Sequence, residues 1–206
     1  MPPFAPGQRL TPSLQFKQKS HSARRRKIVL YRFDPYVEPG ALSASECERL
    51  LEIANASQWE SGTPVGLDPE SRRCLTTQLP LSCEPWLASR LCDLGKRANQ
   101  VFRLRLSGLE QEISVCRYLE GHHVSWHQDC NMIDDPQRKL TISILLSAPH
   151  EGAGGELQYH TERVNVPGQS VGTAVVFVSL LFHRVTAVRA GSRTSLVTWM
   201  LGPPFS

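Results

Sequence analysis

Glu112-Ile113-Ser114-Val115-Cys116-Arg117-Tyr118-Leu119-Glu120-Gly121-His122-His123-Val124-Ser125-Trp126-His127-Gln128-Asp129 is the stretch where the texture of the chain changes. It reads as two short β-type segments, 112–119 and 122–128, with Gly121 between them. The same texture continues at 139–147, 155–160, 162–166, 172–178, 182–188 and 193–200, with Gly, Pro or Asn at many of the joins. Eight short strands at near-even spacing predict a sandwich or jelly roll. No internal repeat is apparent.

Upstream of 112 the signals are mostly helical. Residues 28–33 form a short β-type run that opens the folded domain, and 34–40, with two prolines and a glycine, read as loop. Ser43-Ala44-Ser45-Glu46 has the capping-box pattern, in which a hydroxyl and a carboxylate satisfy free N–H groups of a first turn. The helix it starts is expected to reach about Ser57 and to bury Leu50, Leu51 and Ile53 or Ala54. A second helix begins near Pro85, a residue suited to the first helical position. There Leu87, Leu91, Leu94, Ala98 and Val101 recur at steps of four and three and make one apolar face. Helices first and strands afterwards predict an α+β fold, with helices packed on one face of a β-sandwich.

Composition sets the frame. The 206 residues suffice for one domain with a real core, and 40% hydrophobic with 20% charged residues is ordinary for a soluble globular protein. No run approaches the ~18 apolar residues of a membrane span, and the N-terminus lacks an apolar signal-peptide core. Cys47, Cys74, Cys83, Cys92, Cys116 and Cys130 include no C-x-x-C pair, so a zinc ribbon is not expected. They read as reduced, mostly buried thiols of a cytoplasmic protein. Asn55-Ala56-Ser57 matches a glycosylation sequon, a pattern common by chance.

The net charge of +4 is unevenly placed. Residues 1–27 hold seven of the 23 cations and none of the 19 acids, so the remainder carries 16 against 19, a net of −3. Four prolines by position 12 oppose a helix there. We read 1–27 as a solvated, flexible basic tail and 28–206 as a single domain. A basic arm touching RNA or another polyanion is the secondary reading, and the acid-poor, Arg- and Ser-containing N-terminus also resembles a transit peptide.

The chemistry is concentrated in a few residues. Side chains at i and i+2 of a strand share a face, so His127 and Asp129 are expected to point together as two ligands. By itself H-x-D describes a hydrogen-bonded surface pair as well as it does a metal site. His183, in the apolar run 176–185, is the third ligand candidate, because a buried histidine needs a partner. Two imidazoles and one carboxylate leave about three positions open on a metal, as in non-haem Fe(II) oxygenases. Arg193 lies ten residues beyond His183 and shares a strand face with Ser195. A guanidinium gives two parallel N–H donors to a carboxylate and a hydroxyl adds a third, which would anchor the far end of a dicarboxylic cosubstrate. A His2Asp site also suits zinc, so a zinc hydrolase or a non-catalytic, metal-stabilised β-sandwich is the alternative. Arg193 separates them, since hydrolysis does not require a buried cation there.

These residues resemble the Fe(II)/2-oxoglutarate-dependent dioxygenase superfamily, in its prolyl 4-hydroxylase-like branch. The resemblance runs through Val115-Cys116-Arg117-Tyr118, His127-Gln128-Asp129, Arg138-Lys139-Leu140-Thr141-Ile142-Ser143 and Gly154-Gly155-Glu156-Leu157. It continues through Gly172-Thr173-Ala174-Val175-Val176-Phe177, His183-Arg184-Val185, Gly191-Ser192-Arg193-Thr194-Ser195 and Trp199. Nearly all of 112–200 is covered, whereas the N-terminal half is similar only loosely, through Trp59 and a β stretch with Arg72 and Arg73.

The resemblance implies a double-stranded β-helix with iron held by His127, Asp129 and His183, and Arg193 on the distal carboxylate of 2-oxoglutarate. It puts Ser195 and Tyr118 where they can add hydrogen bonds to the cosubstrate, and Trp199 in the same pocket. Asp129 favours hydroxylation, because related halogenating enzymes lack the carboxylate ligand. Leu145 or Leu146 stands where some relatives carry a tyrosine. The implied reaction consumes 2-oxoglutarate and O2, with ascorbate as a stimulating reductant, and releases succinate and carbon dioxide. The implied substrate is a prolyl residue in a peptide or protein, or a free amino acid; apart from the tail, neither nucleic acid nor membrane is an expected partner.

Overall fold

The computed structural model describes residues 34–160, 164–165 and 170–205. The predicted strand at 28–33 and the basic tail lie outside the described residues. In chain order the elements are β1 (Tyr36–Glu38), α1 (Ala44–Asn55), β2 (Glu60–Ser61), β3 (Arg72–Arg73), β4 (Leu75–Pro80), α2 (Leu87–Phe102), β5 (Gly108–Leu109) and β6 (Glu112–Tyr118). They continue with β7 (His123–His127), β8 (Gln137–Ser147), β9 (Leu157–His160), β10 (Val164–Asn165), β11 (Ala174–Val178), β12 (His183–Val185) and β13 (Arg193–Gly202).

Both helices follow their local signals. Ser43 caps α1, and the capping box with Glu46 is complete. Of the apolar residues expected inside, Leu50 and Ala54 are buried with Cys47, while Leu51 and Ile53 are half-buried. In α2 the buried stripe is Leu87, Leu91, Leu94, Gly95, Ala98 and Phe102. The last step is four residues rather than three, so Phe102 takes the core position and Val101 stays 59% exposed. Pro85 sits in the turn before the helix, which starts at Leu87. Arg103 closes α2 with a left-handed φ of 54°, and the Asn99 side chain holds both N–H and C=O of Leu104.

All eight strands read from the sequence are present, as β6 to β13. Residues 34–40, read as loop, contain β1, which pairs with β11 at the sheet edge. The larger sheet has the order β1-β11-β8-β13-β6-β4-β2, with β5 also on β13; the smaller has β10-β9-β12-β7-β3. Among the described residues the paired strands all run antiparallel. The sheets face each other as a jelly-roll core without closing into a barrel. No helix of the described residues is long and apolar enough to cross a membrane.

Period-two alternation sorts the larger sheet. Leu140, Ile142, Ile144, Ala174, Val176, Val178, Leu196 and Met200 join one core with Leu50, Leu87, Leu91 and Leu94 of the helices. The intervening residues turn inward, where Cys116, Tyr118, Val175 and Phe177 pack with Val124, Leu157 and Val185 of the smaller sheet. Leu91 is fully buried, so truncation to Ala is expected to cost about 2–5 kcal/mol. The helical layer takes the larger apolar core, and the space between the sheets holds a smaller apolar cluster together with polar side chains.

Candidate metal centre

Cross-strand register assembles the centre. His183 of β12 is the direct partner of His127 of β7, so both imidazoles enter the inter-sheet space with ring centroids 4.1 Å apart. Asp129 reaches the same point by another route. β7 ends at His127, and Asp129 lies in a bend whose N–H donates to the Ser179 carbonyl at 2.9 Å. His127 and Asp129 thus come together as their spacing predicts, but across a bend rather than along one strand. His127 Nε2 lies 3.5 Å from Asp129 Oδ1, and His183 Nε2 lies 3.6 Å from Asp129 Oδ2. One donor atom from each residue lies within 4.8 Å of the others.

The donors are prepared for a cation. His127 Nδ1–H donates to the Ser125 carbonyl at 2.9 Å and His183 Nδ1–H to the Leu181 carbonyl at 3.0 Å. A carbonyl can only accept, so both rings carry the proton on Nδ1 and offer the Nε2 lone pair to the centre. Burial pulls the His183 imidazolium down to about 4, keeping that ring neutral. Burial works against the Asp129 charge, but His183, His127 and the Trp199 N–H outweigh it and hold the carboxyl well below the usual carboxylate range. Asp129 Oδ2 accepts from Thr141 Oγ1 at 2.8 Å and from Trp199 Nε1 at 3.0 Å. With Oδ2 so engaged, Oδ1 is the oxygen left for a metal. Two imidazoles and a carboxylate fit a divalent ion.

A cavity of about 150 Å³ surrounds the triad and is also lined by Tyr118, Arg193, Ser195 and Trp199. Arg193 is 2% exposed; it donates to Ser195 Oγ at 2.9 Å, and its guanidinium lies 5.6 Å from the Tyr118 ring centre. Its Nε is buried without a partner, and no carboxylate pairs with it among the described residues. An unpaired buried cation is costly, so the place fits an anionic ligand. Register explains the cluster: Arg193 is the cross-strand partner of Tyr118, and Ser195 that of Cys116. Burial pushes the Tyr118 phenol far above its ordinary range, so it remains an O–H donor. It also pushes the Cys116 thiol up to about 12.

Trp199 enters the cavity, but its N–H goes to Asp129. Six residues along β13 separate it from Arg193, roughly 20 Å of extended chain. Arg138 stacks 3.5 Å over its ring and is itself held by Glu110 at 3.0 Å. Leu145, rather than Leu146, faces Arg193, across a smaller neighbouring cavity. The sequence reading gave no role to Thr141, Ser179, Phe177 or Arg72. Phe177 packs on His183 at 4.7 Å, and Ser179 Oγ meets Thr141 Oγ1 at 3.1 Å. Two hydroxyls two residues apart, Thr141 and Ser143, in the otherwise apolar run 140–146 were the available signal.

Residues 113–201 match the family model described as the 2OG-Fe(II) oxygenase superfamily. A PKHD-type hydroxylase of Shewanella frigidimarina is 34% identical over 94 residues, covering 41% of this chain and 40% of that protein. Another, from Prochlorococcus marinus, is 28% identical over 173 residues, covering 80% of this chain and 77% of its own length. The chain thus spans two fifths of one of these relatives and about three quarters of the other. A viral collagen prolyl hydroxylase of Paramecium bursaria Chlorella virus-1, solved as its 2OG complex, has the same fold with a TM-score of 0.64 at 22% identity, over 82% of this chain and 96% of that one. The family match, the relatives and the fold agree: residues 113–201 are similar to the 2OG-Fe(II) oxygenase superfamily, and the chain shares its fold with a prolyl hydroxylase.

Proposed function

We propose that the protein is a 2-oxoglutarate-dependent hydroxylase in which His127 Nε2, Asp129 Oδ1 and His183 Nε2 hold Fe(II). Arg193, with Ser195, takes the distal carboxylate of 2-oxoglutarate. The observation that carries this reading is one cavity holding both a His-Asp-His donor set and a buried guanidinium without a carboxylate partner. Bound Fe(II) and 2-oxoglutarate supply the oxidising chemistry, by which O2 puts one oxygen into a C–H bond and the other into succinate, with release of carbon dioxide.

The chain's own work is positioning. The Ser125 and Leu181 carbonyls lock the two imidazoles in the tautomer that exposes Nε2. Thr141 and Trp199 fix the carboxylate plane of Asp129. Tyr118 keeps its proton and can donate to the cosubstrate, and the apolar walls of Val124, Leu157, Phe177 and Val185 keep water from the reacting bond. The substrate is a prolyl residue or an amino-acid-like molecule; the viral collagen prolyl hydroxylase of the same fold supports the prolyl residue. We place the reaction in the cytoplasm, with ascorbate as a stimulant, and the catalytic domain at 28–206 behind a basic tail at 1–27.

Succinate release from 2-oxoglutarate, measured with Fe(II), ascorbate and a broad panel of peptides and amino acids, tests this. Wild type is expected to turn over, and Asp129→Ala and Arg193→Met are expected not to. Tight zinc binding with no Fe(II)-dependent succinate on any substrate would overturn the reading and leave a hydrolase or a binding module.

A further inference from the structure

Among the charged residues that line the cavity, Arg72 alone is left without a task by metal and cosubstrate. It stands on β3, the edge of the smaller sheet, opposite Val124, and lines the cavity from the side of His127. Its Nη2 lies 3.4 Å from His127 Nε2. That nitrogen carries a lone pair, so the guanidinium donates into the position a metal would take, and metal binding must turn it toward the open space beside the centre. Its Nε is buried without a partner. Among the described residues no carboxylate pairs with Arg72, and Asp129 is the only carboxylate that lines the cavity.

Charge counting then singles Arg72 out. In the filled site, Asp129 and the two charges of 2-oxoglutarate offset the divalent ion and Arg193. Arg72 remains as the uncompensated charge in a partly desolvated place. The rest of the cavity's polar lining includes Thr63, Thr76, Gln78 and Ser114, all neutral hydrogen-bonding groups. Such a surface disfavours a cationic substrate and suits an anion with polar flanks.

On the reading given under Proposed function, we propose that Arg72 anchors the substrate by a carboxylate that lies beside the hydroxylated C–H bond. The carboxylate comes from a free amino acid or from the C-terminal residue of a peptide. An internal prolyl residue offers Arg72 only carbonyl oxygens and leaves its charge unmatched.

Calorimetry on the protein loaded with Mn(II) and N-oxalylglycine, a non-reacting mimic of 2-oxoglutarate, tests this without turnover. The probes are L-proline, N-acetyl-L-proline, the carboxamides of both, and a blocked peptide with an internal proline. The carboxylates are expected to bind at least about tenfold more tightly than the carboxamides and the blocked peptide, the difference expected of one charge-assisted bond. Preference for L-proline over its N-acetyl form assigns a free amino acid; the reverse assigns a C-terminal residue. Arg72→Gln is expected to abolish the carboxylate preference and Arg72→Lys to keep part of it, both with N-oxalylglycine affinity unchanged. Equal binding of acids and amides, or binding of none, overturns the proposal. So does Arg72→Gln weakening N-oxalylglycine while leaving the preference intact, which would put Arg72 in the cosubstrate site. Failure of wild type to bind N-oxalylglycine at all removes the cosubstrate reading, and this proposal with it, before any substrate probe is added.

Discussion

Replacing Trp199 by Phe isolates one hydrogen bond at the proposed metal centre. The indole N–H donates to Asp129 Oδ2 at 3.0 Å, and the side chain of Asp129 is 9% exposed. A phenyl ring keeps most of the apolar volume and a face for Arg138, so the change is nearly confined to the donor. Two effects oppose each other. Without the N–H the carboxylate is more basic and, as an isolated ligand, a better one. It is also freer to rotate, held only by Thr141 at 2.8 Å. Orientation wins, because a rotated Oδ1 no longer meets the two imidazoles, and loss of such supporting groups typically weakens metal binding 10–100-fold. A hydrogen bond to a buried charge is worth about 1.5–3 kcal/mol, which agrees with that range. The assay is Mn(II) affinity by competition with a chelator, alongside the Tm of the metal-free protein. We expect a fall in affinity of about 10–100-fold and a drop in Tm of roughly 3–10 °C. Thr141→Val is expected to act similarly, and the double variant to lose more than the sum of the two, because each donor can partly substitute for the other. Unchanged metal affinity in the double variant would refute the idea that these donors orient Asp129.

Arg193→Met should separate stability from function. It removes a buried, unpaired charge, so the metal-free protein is expected to gain about 1 kcal/mol or more, while the KM for 2-oxoglutarate rises at least about 100-fold; a less stable variant that still binds 2-oxoglutarate would contradict the assignment. Acid should destabilise the metal-free protein early. His183 titrates at about 4 folded against 6.5 unfolded, so the unfolded chain takes the proton first. Stability is therefore lost as pH falls from 6.5 toward 4, by roughly 3 kcal/mol, and Asp129, lowered from 3.8, adds loss in the same direction below that. Urea unfolding in this window, compared with His183→Phe, should show a slope that the variant lacks. Gly172→Ala should lower stability by about 2 kcal/mol or more, because φ there is 79° and a Cβ would collide with the Leu42 carbonyl oxygen; an unchanged Tm would refute the close approach.

Much of the fold was legible because its causes are local. The capping box at Ser43 involves residues three apart, and the eight strands from 112 onward announce themselves by β-type runs and turn residues. The failures are equally local in origin. A step of three rather than four at the end of α2 exchanged Val101 for Phe102. The strand β1 was read as loop because Pro35, Pro39 and Gly40 surround it, and its three residues are extended only because β11 offers an edge. The two-residue strands β2 and β5 carry no local signal, and β3, at Arg72 and Arg73, was read through the family resemblance alone.

The site divides in the same way. Residue chemistry alone named His127, Asp129, His183 and Arg193, since few side chains can bind a metal or a carboxylate, and spacing of two relates neighbours on one strand. That His183 would stand directly opposite His127 depends on the register of strands 56 residues apart in the chain, which no local pattern encodes. Arg72 and Trp199 lie 55 residues before and 72 after His127, and their parts are set by which sheet each strand joins. The candidate donors were thus named by sequence, while their tautomers, the held carboxylate plane and the unmatched charge of Arg72 were decided by packing two sheets against each other. Side-chain type is a property of one residue, but hydrogen-bond partners and desolvation exist only between segments that folding brings together.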